Sequence, residues 1–470
     1  MSSSKISLMM CKALTQELAL HAGIMSIIQT LYAHGGRVLL VGGAVRDLLL
    51  HNTCKDLDIE VHGLSLSAVE AILAQFGTVF MVGKSFGVFR IAGLDVDWSL
   101  PRSDSAGRKP TVVVDPSMSL REAFARRDLT INAMGIDLIT YELLDPFDGL
   151  DDLANKVLRC PDPARFIEDP LRFYRVMQTI GRFAMYPDQQ LNEICATMDI
   201  THISLERIEE EFEKLLLRSA RPSAGIRWLA TIGRLPTILP ELAATIGIAQ
   251  DADWHPEGDL FEHLMQTLDA SVAYRYHDDQ TTLACRYAAL CHDLGKVTTT
   301  QRHADGRITS YGHDVAGVIP TKNLLRRITR KIALLDIVPL LVRHHMAPGQ
   351  FVADGAKAAA YKRLARALHP DATLAMLADL ACADKRGRNP AGPEPLVQVC
   401  EDIELFRKGA EKAHVINAPE EPVLHGRDLL ERISPGPEMG LLLKRAYQMQ
   451  IEDGITDKQE LLKRLFEEAH

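Results

Sequence analysis

Two aspartates, Asp56 and Asp58, stand two residues apart in the run KDLDIEV, just downstream of VGGAVRDLLL. In a β-strand side chains alternate faces, so Asp56, Asp58 and Glu60 share one face and Leu57, Ile59 and Val61 the other. Two carboxylates this close repel unless a cation lies between them. Magnesium suits that role, being bound through one or two carboxylates and completed by water and substrate phosphates. Alternation alone also describes a half-buried strand with a polar outer face. The Gly42-Gly43 turn shifts the balance, because glycine lets the backbone approach a ligand and the amides at a helix N-terminus favour phosphate. Asp97, in LDVDWSLPR, lies on a later strand whose Asp95 shares its face. Three carboxylates on neighbouring strands would hold two magnesium ions, one activating a 3′-hydroxyl and the other gripping a triphosphate.

A second constellation lies further along. CHDLGK puts His292 beside Asp293 on a helix, and such neighbours hold a cation only if other helices add ligands. The candidates are His263 in FEHLMQTL, His313 in YGHDVAG, His345 or its neighbour His344 in VRHHMAP, and Asp384 in CADKRGR. Any one of 17 histidines is more often a surface or satisfied core residue than a ligand. A third local signal is EDPLRFYR. Asp169 before Pro170 reads as a helix N-cap with proline at the first helical position, and Arg172 and Arg175 follow on the same helix.

The elements that must position these groups fall into two regimes. Residues 37–150 alternate short β-branched runs (RVLLVG, LDIEV, TVFMV, VFRIAG, LDVDWSL) with helical segments, as in a mixed α/β or α+β domain. From about residue 151 apolar residues recur every three or four positions, as in PLRFYRVMQTIGRF and LERIEEEFEKLLLR. The expected architecture is α+β: a head over 1–150, a helical neck and body over 151–250, a metal-binding helical domain over 251–395 and a helical tail over 396–470. A helix is expected within residues 1–30, ahead of the first strand.

Bulk properties narrow the class. The 470 residues are 47% hydrophobic and 24% charged, with no apolar run long enough for a membrane. The N-terminus lacks the features of a secretory signal, and eight cysteines without a CxxC pair suggest a reducing, cytoplasmic setting. A net charge of -9 argues against indiscriminate nucleic-acid binding but leaves room for a local basic surface. The basic stretches at Lys322, Arg326, Arg327, Arg330 and Lys331, and at Lys385, Arg386 and Arg388, read by default as solvated faces.

GGAVRDLLL with DLDIEV, GKSFGVFRI with DVDWSLPR, RRDLTINAM, DPFDGLDDL and EDPLRFYRVMQTIGRF follow one another in the chain. That order resembles the class II tRNA nucleotidyltransferases, the CCA-adding enzymes and their bacterial poly(A) polymerase relatives, across about residues 36–215. The resemblance implies a head of five-stranded nucleotidyltransferase type, magnesium, CTP and ATP as substrates and tRNA as partner. Position by position, it makes Asp56 and Asp58 the metal pair and Asp97 the third carboxylate. It places Gly42, Gly43 and Arg46 in the phosphate-binding turn and Arg127, Asp128 and Asn132 against the nucleotide sugar and phosphates. It makes Asp169 and Arg172, with Arg175 nearby, a protein template for the base edge, a role suited to a carboxylate and a planar guanidinium. Glu206 and Arg207 would brace it.

The set His263, His292, Asp293, His313, His345 and Asp384 resembles the HD phosphohydrolase superfamily. That likeness implies a divalent transition metal such as nickel, manganese or cobalt, and hydrolysis of phosphomonoesters or 2′,3′-cyclic phosphodiesters. An attached domain of this kind is typical of some bacterial tRNA nucleotidyltransferases. The leading expectation is thus CCA addition plus hydrolysis. One departure keeps CC-only, A-only and poly(A) addition open: the linker SDSAGRKPTVVVDPSMSLREAFA lacks the aromatic, Gly-rich stretch of many full CCA-adding enzymes. Against poly(A) stand the acidic chain and the absence of a long basic extension after LLKRLFEEAH. A further rival is an HD phosphohydrolase whose head only binds RNA. Monomer and homodimer both remain open.

Overall fold

The computed structural model describes residues 3–21, 23–53, 57–82, 87–104 and 112–467. The chain divides into two compact units, Met1–Arg207 and Ile208–His470.

The first unit is built on an eight-stranded sheet. Its strands are β1 (Ser3–Lys5), β2 (Arg37–Val41), β3 (Leu57–His62), β4 (Val79–Val82), β5 (Val88–Ile91), β6 (Leu94–Ser99), β7 (Gly135–Asp137) and β8 (Glu142–Leu144). Their spatial order is β1-β8-β7-β2-β3-β6-β5-β4. β3 and β6 pair in parallel and the other neighbours antiparallel. The sheet is wider than the five strands implied by family likeness, because the hairpin β7–β8 and the N-terminal β1 extend it beyond β2. The N-terminal segment likewise begins with a strand, and two helices follow it, Leu8–Ala19 and Ile24–Ala33.

Alternation sorts the two central strands as their sequences predict. Leu57, Ile59 and Val61 of β3 join Val96 and Trp98 of β6 in the main core beneath the helices. Asp58, Glu60, Asp97 and Ser99 therefore occupy the opposite face, part of which a smaller core around Leu39, Val41, Phe124 and Leu144 covers. Past the sheet, the helix Leu171–Phe183 buries Leu171, Phe173, Tyr174, Val176, Met177 and Ile180, the stripe its periodicity announces.

The second unit is helical apart from a small hairpin, Gln301–Arg302 with Ile308–Thr309. The helix Leu260–Ser271 is buried along almost its whole length, as is Asp279–Cys291 from Thr282 onward, so both lie inside the bundle. Ile332–His344 and Leu374–Arg386 pack against them. The last helices, Gly426–Leu429, Pro437–Asp453 and Lys458–Glu467, enclose a small core of their own around Leu429, Met439 and Leu461.

Both basic stretches are ion-paired: Arg327 with Glu241 at 3.2 Å, Lys331 with Glu213, Lys385 with Asp402 at 2.7 Å, and Arg388 with Asp384 at 2.8 Å. The cysteines among the described residues are free, and none of the helices among them is long and apolar enough to cross a membrane.

Candidate active site and candidate metal centre

In the parallel ladder between β3 and β6, Asp58 is the register partner of Asp97. The two carboxylates thus leave neighbouring strands on one face, at the same level. Asp56 lies outside the described residues. Asp58 and Asp97 line an open cleft of about 240 Å³ with Val41, Val88, Ser99, Arg102, Arg126 and Arg127. Oxygen ligands paired across a rigid ladder fit a hard divalent cation such as magnesium. Cationic side chains already gather around them. Arg90 pairs with Asp97, its Nη2 donating to Oδ2 at 3.1 Å.

The basic wall of the cleft is held from below by Glu60. This residue is fully buried, two positions along the strand from Asp58. Arg126 and Arg127 approach its Oε2 at 3.5 and 3.7 Å, and His62 Nε2 lies 2.9 Å from Oε1. Burial pushes the Glu60 carboxyl up, but the His62 hydrogen bond and the charges of Arg127 and Arg126 outweigh it and hold it at about 2.

Gly42 closes the cleft as β2 turns into the helix Gly43–Leu49. Its φ of 77° favours glycine, and a Cβ there would stand 2.7 Å from Arg127 Nη1 and 3.6 Å from Asp58 Oδ2. Gly43 is more relaxed: its nearest neighbour would be Arg46 Nη2 at 3.4 Å. Arg46 is buried beside this turn. It donates to Asn132 Oδ1 at 2.7 Å and Asp47 Oδ1 at 2.9 Å, and stacks 4.5 Å over the Phe183 ring.

From Arg46 a polar chain continues through the head. Asn132 Nδ2 donates to Asp128 Oδ1 at 3.0 Å, and Arg175 Nε donates to Asp128 Oδ2 at 2.7 Å. Burial would raise the Asp128 carboxyl, yet Arg175, Asn132 and the Leu129 amide hold it far below the carboxylate range. Arg127 lines the cleft, whereas Asp128 and Asn132 are buried and brace the Gly43 helix to the Leu171 helix.

Asp169 acts as the helix cap that its sequence predicts: its Oδ1 accepts the Leu171 amide at 3.1 Å, and Pro170 has the helical φ and ψ, −57° and −22°, of a first helical residue. Arg207 braces Asp169 with both carboxylate oxygens 3.2 Å from Nη2. Arg172 is fixed through main-chain carbonyls, those of Arg165 at 2.6 Å and of Arg126.

In the helical unit the six predicted ligands converge. His263 projects from Leu260–Ser271 and Asp384 from Leu374–Arg386, while His345 caps Ile332–His344 and His313 opens the short helix His313–Ala316. Of the neighbours His344 and His345, the cluster contains His345. His292 and Asp293 do not share a helix. The helix ends at Cys291 with His292 as its cap, and Asp293 lies in the turn beyond. That turn closes because Gly295 has no side chain: a Cβ there would stand 2.0 Å from the His313 carbonyl.

Asp293 bridges two groups of ligands. Its Oδ2 lies 3.3 Å from His292 Nε2 and 3.5 Å from His263 Nε2, and Asp384 Oδ1 is 3.2 Å from His263 Nε2. Its Oδ1 lies 3.1 Å from His313 Nε2 and 3.6 Å from His345 Nε2. The Nδ1 atoms of His292, His313 and His345 donate to the carbonyls of Ala289, Ser310 and Val342 at 3.0, 2.7 and 2.6 Å. This fixes the tautomer that turns the Nε2 lone pairs inward, the usual preparation of a metal ligand. Yet Nε2 atoms face each other at 3.2 Å (His263, His292) and 3.1 Å (His313, His345). Two ring nitrogens at that range must share a proton or a cation, so the cluster fits divalent ions on both sides of Asp293.

Three residues that the motifs did not single out complete this centre. Glu257, whose side chain is buried, lies 2.7 Å from His263 Nδ1 and 3.0 Å from His255 Nδ1. Burial opposes charge on His263, but Asp384, Glu257 and Asp293 lift it to about 9. Bound metal would take that proton's place. Lys296 holds Asp293 Oδ2 at 2.7 Å and Gln250 Oε1 at 2.8 Å. The run HPEGDLFEH, with two histidines and three carboxylates before and within a buried helix, was the signal for Glu257 and His255.

A mixed sheet bearing paired carboxylates at a basic cleft, with helices after it, defines a polymerase-type nucleotidyltransferase head. The family model described as Poly A polymerase head domain matches residues 38–159, and one described as Probable RNA and SrmB-binding site of polymerase A matches 193–246. A Multifunctional CCA protein of Pasteurella multocida is 35% identical over 320 residues, 66% of this chain and 74% of that protein. That of Xanthomonas axonopodis pv. citri is 32% identical over 423 residues, 87% and 97% of the two chains. The chain belongs to the multifunctional CCA protein family. The solved structure of the Thermotoga maritima CCA-adding enzyme complexed with tRNA shares the fold, with a TM-score of 0.61 at 19% identity over 100% of both chains.

Proposed function

We propose that the protein is a tRNA nucleotidyltransferase adding CCA to tRNA 3′ ends from CTP and ATP, and that its helical unit is a metal-dependent phosphohydrolase. It acts in the cytoplasm, in keeping with the free cysteines among its described residues. The observation that carries the first reading is the Asp58–Asp97 register pair opening on a basic cleft. Magnesium held by Asp58, Asp97 and Asp56 would supply charge neutralisation of the triphosphate and a more acidic 3′-hydroxyl.

The chain's own groups do the rest. Arg126 and Arg127, held by Glu60, present positive charge to the triphosphate, and Gly42 lets the backbone approach it. The RNA 3′-oxygen bonds to the α-phosphorus, the α–β bridge breaks, pyrophosphate leaves and the hydroxyl proton passes to solvent. Asp169 and Arg172, braced by Arg207 and by two main-chain carbonyls, read the edge of the incoming base. Arg46, Asn132, Asp128 and Arg175 keep the turn and the template helix in register.

In the helical unit, nickel, manganese or cobalt on the histidine and aspartate cluster would activate a water for attack on phosphorus. Lys296 steadies Asp293, and the ester oxygen leaves as an alcohol. Nitrogen donors favour such ions over magnesium.

tRNA transcripts ending before C74, after C75 and after A76 test the first reading, each with CTP, ATP or both, with and without magnesium. Addition of CCA to the shortest transcript is expected. Extension limited to CC, to A or to an A run assigns one of the narrower specificities. No extension of any transcript, beside strong cyclic-phosphate hydrolysis, would leave the hydrolase with an RNA-binding head.

A further inference from the structure

Phosphate hydrolysis requires the buried cluster and Lys296; it does not require aromatic rings. Yet two large aromatic side chains line the same cleft, about 320 Å³ in volume: Trp254 is 70% exposed and Tyr311 81% exposed. Single exposed aromatics are ordinary on a protein surface. These two are set apart by how their backbones are held.

Trp254 sits in the turn that carries His255 and Glu257. That turn is closed by the amides of Trp254 and His255 donating to the Asp251 carbonyl at 3.2 and 2.8 Å. The Trp254 carbonyl accepts from Arg388 Nη1 at 3.4 Å, and Nη2 of the same guanidinium holds Asp384 at 2.8 and 2.9 Å. Tyr311 lies between Ser310, whose carbonyl orients His313 at 2.7 Å, and Gly312, whose φ of 74° turns the chain into the ligand helix. One aromatic is tied to the His263–Asp384 side of the cluster and the other to the His313 side. The bonds that orient the histidine and aspartate cluster thus also fix the backbone positions from which the two side chains line the cleft.

We propose that Trp254 and Tyr311 form a stacking platform for a nucleobase. The cleft then takes a nucleotide, with its phosphate at the cluster and its base on these rings, in preference to a phosphate ester that lacks a base. This rests on the hydrolase reading of the helical unit and adds to it the residues that select the substrate. Every base has a π-face, so the selection tolerates different bases. Lys296 and Arg388 supply the charge that receives the anion, and the apolar Ile308 and Met346 complete the wall.

The test compares 2′,3′-cyclic AMP and 2′,3′-cyclic CMP with glycerol 1,2-cyclic phosphate, which has the same reacting group and no base. In the full-length protein, Trp254→Ala and Tyr311→Ala are each expected to cut the preference for the cyclic nucleotides about tenfold, through KM rather than kcat. Trp254→Phe is expected to restore most of it. A second readout needs no turnover. Of the three tryptophans, Trp98 and Trp228 are buried, so Trp254 is the solvent-facing emitter. Adenosine 3′-phosphate should quench its emission, glycerol phosphate should not, and the quenching should vanish in Trp254→Phe. An unchanged preference in Trp254→Ala and Tyr311→Ala, or quenching that survives in Trp254→Phe, overturns the proposal. If the wild-type protein hydrolyses none of the three esters, the hydrolase reading fails and the emission titration decides the stacking platform separately.

Discussion

Asp58 and Asp97 are direct register partners on two adjacent parallel strands of the head. A parallel ladder fixes their relative height more rigidly than any loop, so neither can retreat from the other's charge. As a pair they should fail as one unit. Asp58→Ala and Asp97→Ala are each expected to lower nucleotide addition at least a thousandfold, about 4 kcal/mol of transition-state stabilisation. The double variant should be scarcely worse, because residues acting through one site are not additive. Single-turnover incorporation of labelled CMP checks this; fully multiplicative losses would argue for separate roles.

Gly42 and Gly43 are neighbours with different duties. A Cβ on Gly42 meets Arg127 at 2.7 Å and a φ of 77°, whereas Gly43 has ordinary space. Gly42→Ala should cost about 1–3 kcal/mol of head stability and displace Arg127, with addition falling in step. Gly43→Ala should be much milder. Thermal unfolding of the two variants, followed beside triphosphate affinity, distinguishes them.

Asp128 links pH to the stability of the head. Its folded carboxyl lies below its unfolded value of about 3.9, so its contribution is fully present above that pH and lost as pH falls through the folded value. Acid titration of wild-type stability should therefore steepen below about pH 4, and Asp128→Asn should flatten that limb. At neutral pH Asp128→Ala should cost about 3 kcal/mol, because the Arg175 and Asn132 donors lose a buried acceptor. Urea unfolding at a series of pH values measures both effects.

The helical cluster predicts a metal-linked gain in stability. At a hundred times its Kd, a bound ion adds about 2.7 kcal/mol to the folded state. Manganese or nickel should raise the melting temperature of the wild-type protein and of Asp58→Ala, but not of Asp293→Ala, since Asp293 touches both ligand groups. Elemental analysis should show less metal in Asp293→Ala. Equal metal content in both would place the ion elsewhere.

Alternation made β3 and β6 legible, and with them the face that bears Asp58 and Asp97. Their register was not legible, because pairing between segments that distant in sequence is decided by the packing of Ile59 and Trp98 in the core. Glu60 reads as part of a polar outer face; Arg126 and Arg127 close over it and make it a buried anchor. The clustered histidines were readable as a set, but the helix end at Cys291 was not. It depends on Gly295 meeting the His313 carbonyl, a contact between separate elements. Arg46 shows the same limit: its place on the helix after the Gly42-Gly43 turn is local, but its partners Asn132 and Phe183 come from elsewhere in the chain.

The proposed function requires two chemically independent centres on one chain, one built on Asp58 and one on Asp293. The most direct measurement assays CMP and AMP incorporation into a tRNA lacking CCA, and cyclic-phosphate hydrolysis, on the same preparations of Asp58→Ala and Asp293→Ala. The prediction is a crossover: Asp58→Ala loses incorporation and keeps hydrolysis, and Asp293→Ala does the reverse. Loss of both activities in a well-folded Asp58→Ala protein would contradict it.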